Sequence, residues 1–236
     1  MVSYFISDLH LSPATPRLTT AFYAFLDEKL ADADALYILG DFFDAWIGDD
    51  EDDPYYLEVQ QKLATKVAQG LPISFVHGNR DFLIGDNFAK ATGVTLLPEQ
   101  VTLEIAGRKA LLMHGDSLCT DDTEYMAFRA QVRSPQWQAQ VLSLPLAQRR
   151  AMAAQMRSES TSMNSNKAED ILDVNSTDVE ALFASADIEL LLHGHTHRPA
   201  RHKLDFGERV VLGDWNNTGW YVRADKQNLD LVEFNI

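Results

Sequence analysis

The 236-residue chain predicts an α/β protein in which two packed β-sheets are flanked by helices. Three observations predict it. Short β-rich runs alternate with segments of helical spacing in the first half, and hairpin-like runs dominate the end. The apolar runs end repeatedly in aspartate, asparagine or histidine, with glycine beside them. A stretch from about 121 to 167 is mostly helix-forming and interrupts the β pattern, so it is expected to be a helical insertion in a single domain spanning 1–236.

Each element has its own warrant. Residues 2–7 form a short β-rich run, and 17–30 place Leu18, Phe22, Phe25, Leu26 and Leu30 at helical spacing. A buried strand is expected at 35–39, then a helix over 55–69 with Leu57, Leu63 and Val67 on its apolar side. Residues 73–76 are a third strand and 86–92 a short helix. The runs 101–105 and 109–113, joined by Ala106-Gly107-Arg108, predict a hairpin. After the insertion come a helix over 174–186, a strand at 189–192, and strands at 209–212, 220–223 and 229–234. The run Asp49-Asp50-Glu51-Asp52-Asp53 is expected to be a solvated loop.

Composition excludes several classes. A net charge of −15 argues against nucleic-acid binding, which rests on Lys and Arg neutralising phosphates. One cysteine, Cys119, cannot build an internal disulfide framework, and with no signal peptide in the sequence it points to a reducing cytosol. No apolar run approaches the roughly 18 residues of a spanning helix. The charge is uneven, however: residues 125–158 contain no acid but five arginines, at 129, 133, 149, 150 and 157.

The chemistry lies at five strand ends: Ser7-Asp8-Leu9-His10, Gly40-Asp41, His77-Gly78-Asn79-Arg80, His114-Gly115-Asp116 and His193-Gly194-His195-Thr196-His197. Ligands of open α/β sheets bind beyond the carboxyl ends of strands, so these segments should converge. Six of the seven histidines lie in them. Asp, Asn and His without sulfur suit Mn²⁺, Fe²⁺ or Zn²⁺ and do not select among them. Six or seven such groups are too many for one tetrahedral site and fit two ions, which together activate a water and hold phosphoryl oxygens.

In order and spacing these segments resemble the calcineurin-like metallophosphoesterases, whose pattern runs D-x-H, G-D, G-N-H-[DE], H, G-H-x-H. The resemblance covers positions 8 to 197. It implies a two-sheet metallophosphoesterase sandwich, with Asp8, His10 and His197 on one ion, Asn79, His114 and His195 on the other, and Asp41 bridging both. His77 and His193 are not ligands in that pattern. Arg80 stands where the family usually has a histidine that steers or protonates the leaving group. Arginine cannot release a proton near pH 7, but it can hold phosphate oxygens bidentately. A leaving group that is already a stable anion, as inside a diphosphate, suits such a site.

The segments S-D-L-H-L, G-D-F-F-D-A-W-I-G-D, H-G-N-R-D-F, H-G-D-S-L-C-T-D-D and H-G-H-T-H-R-P resemble, more narrowly, the UDP-2,3-diacylglucosamine diphosphatases of lipid A synthesis. That resemblance implies cleavage of UDP-2,3-diacylglucosamine to UMP and 2,3-diacylglucosamine 1-phosphate, usually with manganese, under a helical lid that covers the acyl chains. It places Asp41, Asn79, Arg80, His114 and His195 at the reacting phosphate. Substrate contacts come from Asn79, Arg80, Asp122, Ser160, Asn164, Lys167 and His195. The insertion, with Tyr125, Phe128, Trp137, Val141, Met152 and Met156 among its arginines, is expected to take an acyl chain or lie on the anionic inner-membrane surface, with no protein partner. The competing readings are a phosphodiesterase or phosphatase for another phosphoester on the same scaffold, and a scaffold protein that has lost turnover. No ligand of the pattern is missing.

Overall fold

The computed structural model describes residues 1–164, 171 and 173–236, the side chains of 160–164 excepted. In chain order, β1 (Ser3–Ile6) leads to α1 (Pro16–Ala24), which continues as a π-helical turn over Phe25–Lys29. Then come β2 (Ala35–Ile38), α2 (Pro54–Ala68), β3 (Ile73–Phe75), α3 (Asp86–Thr92) and the two-residue β4 (Thr95–Leu96). The hairpin of β5 (Gln100–Ile105) and β6 (Arg108–Met113) is present as expected. The insertion resolves into α4 (Thr123–Val132), α5 (Pro135–Leu142) and α6 (Leu146–Asn164). α7 (Ser176–Ala186), β7 (Leu190–His193), β8 (Ala200–Leu204), β9 (Gly207–Val211), β10 (Thr218–Ala224) and β11 (Leu229–Asn235) complete the chain.

The helix starts follow local chemistry. Asp53 accepts a hydrogen bond from Tyr55 N at 2.9 Å and Pro54 opens α2, while Asn175 accepts from Thr177 and Asp178 at the head of α7.

The strands form two mixed sheets, ordered β11-β10-β1-β2-β3-β4 and β5-β6-β7-β9-β8. Alternation along each strand assigns its side chains to separate layers. Phe5, Leu39, Val76 and Val222 of the first sheet side meet Leu112, Leu190, Leu192 and Val210 of the second in one buried cluster. Tyr4 and Ile6 point the other way, into the cluster that holds Phe22, Phe25, Val59 and Leu63 of the first helices. Leu111, Met113 and Leu191 face Val179 and Phe183 of α7. Each fully buried Leu, Val or Phe here contributes about 1.5–3 kcal/mol relative to exposure. That four-layer packing fixes where β1, β2, β3, β6 and β7 end.

The five arginines of the insertion are not a bare cationic face. Arg129 Nε gives its hydrogen to Asp116 Oδ2 at 2.8 Å and also pairs with Glu99, and Arg133 Nη2 donates to Gly78 O at 2.8 Å. Arg149 is buried; it pairs with Asp50 and donates to the carbonyls of Ile47 and Leu144. Arg150 pairs with Glu51 and Asp52, and Arg157 with Asp44 at 2.6 Å. The acidic run 49–53 is therefore not simply solvated. Glu51 is buried, Asp49 accepts from the backbone N–H of Gly85, Asn87 and Phe88, and its neighbours clasp the head of α6. Among the described residues, no helix is long and apolar enough to cross a membrane.

Candidate metal centre and the cavity beside it

Beyond the strand ends the chain is held in strained conformations. Asp8, His10, Asp41, His195 and His197 all have positive φ, between 49° and 69°, although none is glycine. The left-handed region costs a non-glycine residue roughly 1–2 kcal/mol, so five in one place mark a functional site held by its surroundings. Backbone bonds do the holding: Asp8 N donates to Gly40 O at 3.1 Å, His10 N to Asp41 O at 3.0 Å. Gly78 and Gly194 allow the closest approaches, because a Cβ on either would collide with the carboxylate of Asp41 or of Asp8.

Two groups of electron-pair donors result. In the first, His10 Nε2 and His197 Nε2 face each other at 3.2 Å, and His197 Nε2 lies 3.3 Å from Asp8 Oδ1. In the second, Asn79 Oδ1 lies 2.9 Å from both His114 Nε2 and His195 Nδ1. The Leu39 carbonyl, 2.8 Å from His114 Nδ1, accepts a hydrogen bond from the N–H of that nitrogen and leaves the Nε2 lone pair facing Asn79. Asp41 stands between the groups, its Oδ1 3.6 Å from His114 Nε2 and accepting from Arg80 N at 2.9 Å.

These residues fit divalent cations. Asp8, His10 and His197 bring ligand atoms within 4.8 Å of one another, as do Asp8, Asp41 and His114. Asp8 Oδ1 and His10 Nδ1 are buried without a hydrogen-bond partner, a costly state that a cation relieves at the carboxylate. Electrostatics agree. Burial pushes the Asp41 carboxyl above the usual range despite His114 and Arg80, and burial holds His195 down to about 3 with His114 adding to it. Burial likewise raises Asp8, but His197, His114 and His10 outweigh it and leave that carboxyl low.

The structure brings together every expected metal-centre residue. His77 and His193 turn elsewhere: His77 Nε2 lies 2.7 Å from Ile84 O, and His193 sits between Gly194 O and Arg209. Arg80 lies beside Asp41, Nε to Oδ2 3.3 Å, and beside Asp44, Nη1 to Oδ1 3.4 Å. Asp122 accepts from Tyr125 N at 3.0 Å as the N-cap of α4 and lines the adjoining cavity. Lys167 lies outside the described residues, and so do the side chains of Ser160 and Asn164.

Two buried aspartates lie in the quoted segments but were given no role there. Asp81 accepts from Phe42 N at 2.7 Å and Gly78 N at 2.8 Å, lashing two ligand loops together; burial and then Asp41 push it up to about 6. Asp116 accepts from Tyr125 Oη and Arg129 Nε, both at 2.8 Å, and so ties α4 behind His114. Their signal was present, since each directly extends a motif: H-G-N-R-D and H-G-D.

A cavity of about 460 Å³ opens from Asp41, Asn79, Arg80, His195 and His197. Its lining also includes apolar side chains, Trp46 and Phe82 from the domain and Phe128, Trp137, Met152 and Met156 from the insertion. One cavity is thus lined both by the ionic cluster and by apolar side chains of the insertion.

Residues 1–199 match the family model described as calcineurin-like phosphoesterase. The chain is 51% identical over 240 residues to a UDP-2,3-diacylglucosamine hydrolase of Cellvibrio japonicus, covering all of both chains. It is 48% identical over 238 residues to one of Salmonella paratyphi B, covering 99% of each. The solved structure of an archaeal phosphodiesterase superposes with a TM-score of 0.51 at 13% identity, over 99% of this chain and all of that one, a likeness of fold alone.

Proposed function

The chain belongs to the calcineurin-like phosphoesterase family, and from that premise we propose that it hydrolyses the pyrophosphate bond of UDP-2,3-diacylglucosamine to UMP and 2,3-diacylglucosamine 1-phosphate, a step of lipid A synthesis. It is a metal-dependent hydrolase. The observation that carries the substrate reading is that one cavity is lined both by the ionic cluster and by a group of large apolar side chains, as a diphosphate attached to acyl chains requires. The catalytic domain spans 1–236, with the lid over about 121–167.

Asp8, His10 and His197 would hold one divalent ion and Asn79, His114 and His195 the other, with Asp41 between the two groups; manganese is the physiological metal. Bound there, the ions supply a water activated near neutral pH and offset charge on the phosphoryl oxygens. The protein's own groups do the rest. The Leu39 carbonyl and the Arg80 N–H fix the orientation of His114 and Asp41. Arg80 keeps its proton and holds phosphate oxygens, which suffices because the departing sugar phosphate is a stable anion. Asp122, Ser160, Asn164, Lys167 and His195 complete the contacts to the acylated sugar. The lid receives the acyl chains and keeps water from them.

The enzyme works at the cytoplasmic face of the inner membrane as a peripheral protein. With Arg149 and Arg150 spent on the acidic loop, the contact falls to the exposed Phe128 of α4 and Leu142 of α5. The test is manganese-dependent release of UMP from UDP-2,3-diacylglucosamine beside release of adenosine monophosphate from cyclic AMP. Preference for the cyclic nucleotide would overturn the reading.

A further inference from the structure

We propose that Arg157, from the last lid helix, joins Arg80 across Asp44 to form a two-arginine seat for the sugar-linked phosphate of the substrate. The inference rests on the diphosphate reading above and deepens it, since that reading gives the phosphates Arg80 alone.

The seat is visible in the geometry. Asp44 Oδ1 lies 3.4 Å from Arg80 Nη1 and 2.6 Å from Arg157 Nη2, so two guanidiniums from distant parts of the chain meet on one oxygen. All three side chains line the cavity. Asp44 gathers the two guanidiniums at one point of the cavity wall, and a guanidinium is a fork of N–H donors matched to phosphate oxygens. Arg80 Nε is buried with no hydrogen-bond partner, and its nearest carboxylate oxygen, on Asp41, is 3.3 Å away. A buried guanidinium donor without an acceptor is costly unless a ligand supplies one.

The position selects which phosphate is held. Arg157 follows Arg149 and Ala153 at four-residue spacing, so the three share one face of α6, and all three line the cavity. Arg149 closes the far end of that face by pairing with Asp50, and Arg157 ends it beside Arg80. A substrate whose acyl chains lie along the lid brings its sugar-linked phosphate past Arg157 and its nucleotide phosphate beyond. Asp44 acts as a positioning residue that holds both forks. As structure alone, a pair between a partly exposed arginine and a partly exposed aspartate would add little.

The experiment compares metal-loaded parent, Arg157→Ala, Arg157→Lys and Asp44→Asn. Inhibition constants are measured for 2,3-diacylglucosamine 1-phosphate, for UMP and for 2,3-diacylglucosamine without the phosphate, alongside kcat and KM on UDP-2,3-diacylglucosamine and a thermal melt of each variant. Arg157→Ala is expected to weaken the sugar phosphate about tenfold or more, leaving UMP and the phosphate-free lipid within about twofold of parent. Arg157→Lys should recover part of the loss, because charge returns without the fork. Asp44→Asn should raise KM more than it lowers kcat. Unchanged inhibition by the sugar phosphate in a folded Arg157→Ala overturns the seat, as does an equal loss for UMP or for the phosphate-free lipid. A parent that releases no UMP overturns the diphosphate reading and the seat with it, whereas normal turnover with unchanged inhibition overturns the seat alone.

Discussion

Arg149 reaches across 99 positions to hold both carboxylate oxygens of Asp50, Nη1 to Oδ1 at 2.7 Å, while the same Nη1 donates to Ile47 O at 2.6 Å. The buried guanidinium thus fastens the head of α6 to the loop that carries Trp46 and Ile47 into the cavity. An arginine spent in this way anchors the insertion to the domain. It offers no free charge to a lipid surface.

Arg149→Ala leaves the Ile47 and Leu144 carbonyls without their donor and opens a space between lid and domain. The expected loss is about 2 kcal/mol, read as a lowered denaturant midpoint, because Asp50 itself is largely exposed and regains water. Sedimentation with anionic vesicles should match the parent at every salt concentration. A salt-sensitive loss of vesicle binding would return this arginine to the membrane face.

The metal centre yields a paired prediction. Asp41→Asn removes the carboxylate between the two donor groups, and turnover should fall roughly a hundredfold or more with less bound metal. His77→Asn should keep its metal and lose mainly thermal stability, because its ring meets Ile84 O and Phe75 rather than the donor groups. Metal content and kcat, measured on the same preparations, separate the two. A His77 variant that loses metal as Asp41→Asn does would make His77 part of the centre.

Burial, then Asp116 and Asp173, push the Cys119 thiol up to about 12. The folded value lies above the unfolded value near 8.5, so the neutral thiol is favoured in the fold. Its contribution to stability is complete below that unfolded value and fades as pH rises from there toward the folded one. Between pH 8.5 and 9.5 the parent should lose about 1 kcal/mol more stability than Cys119→Ala. Denaturant midpoints at pH 7.5, 8.5 and 9.5 for both proteins decide it, and identical slopes would show that the thiol ionises freely in the folded state.

The strand ends were legible because the chemistry there is local. Each apolar run stops at a ligand-type residue, and glycine beside it announces close approach, so the convergence of these residues could be read on paper. Their division into two groups came from the family resemblance. What could not be read depends on partners distant in sequence. Asp50 and Glu51 look like a solvated charge run until Arg149 and Arg150 arrive from the lid. Positive φ at Asp8 and His195 leaves no mark in residue type. β4 is two residues long and β8 alternates exposed charges with half-buried positions, too little pattern to mark either as a strand. Even the insertion, read as one helical stretch, hides that Ser134-Pro135 and Pro145 divide it into three helices, with the Ser134 side chain capping α5.

Substitution of Arg80 gives the proposed diphosphate chemistry its sharpest test. Its backbone N–H holds Asp41 whatever the side chain, so truncation to alanine should leave the donor groups in place. Arg80→Ala then loses only the guanidinium, and kcat/KM on UDP-2,3-diacylglucosamine should fall about a hundredfold or more with metal content unchanged. Arg80→His puts a neutral-pH acid at that position without the fork. It should stay poor on the diphosphate, whose leaving group needs no proton, and gain on simple phosphodiesters, whose alkoxide does. Measured on both substrate types, the three proteins should cross over in preference. Near-parental activity of Arg80→Ala on the diphosphate would show that the guanidinium does not hold the phosphate, and the choice of arginine over histidine would then need another cause.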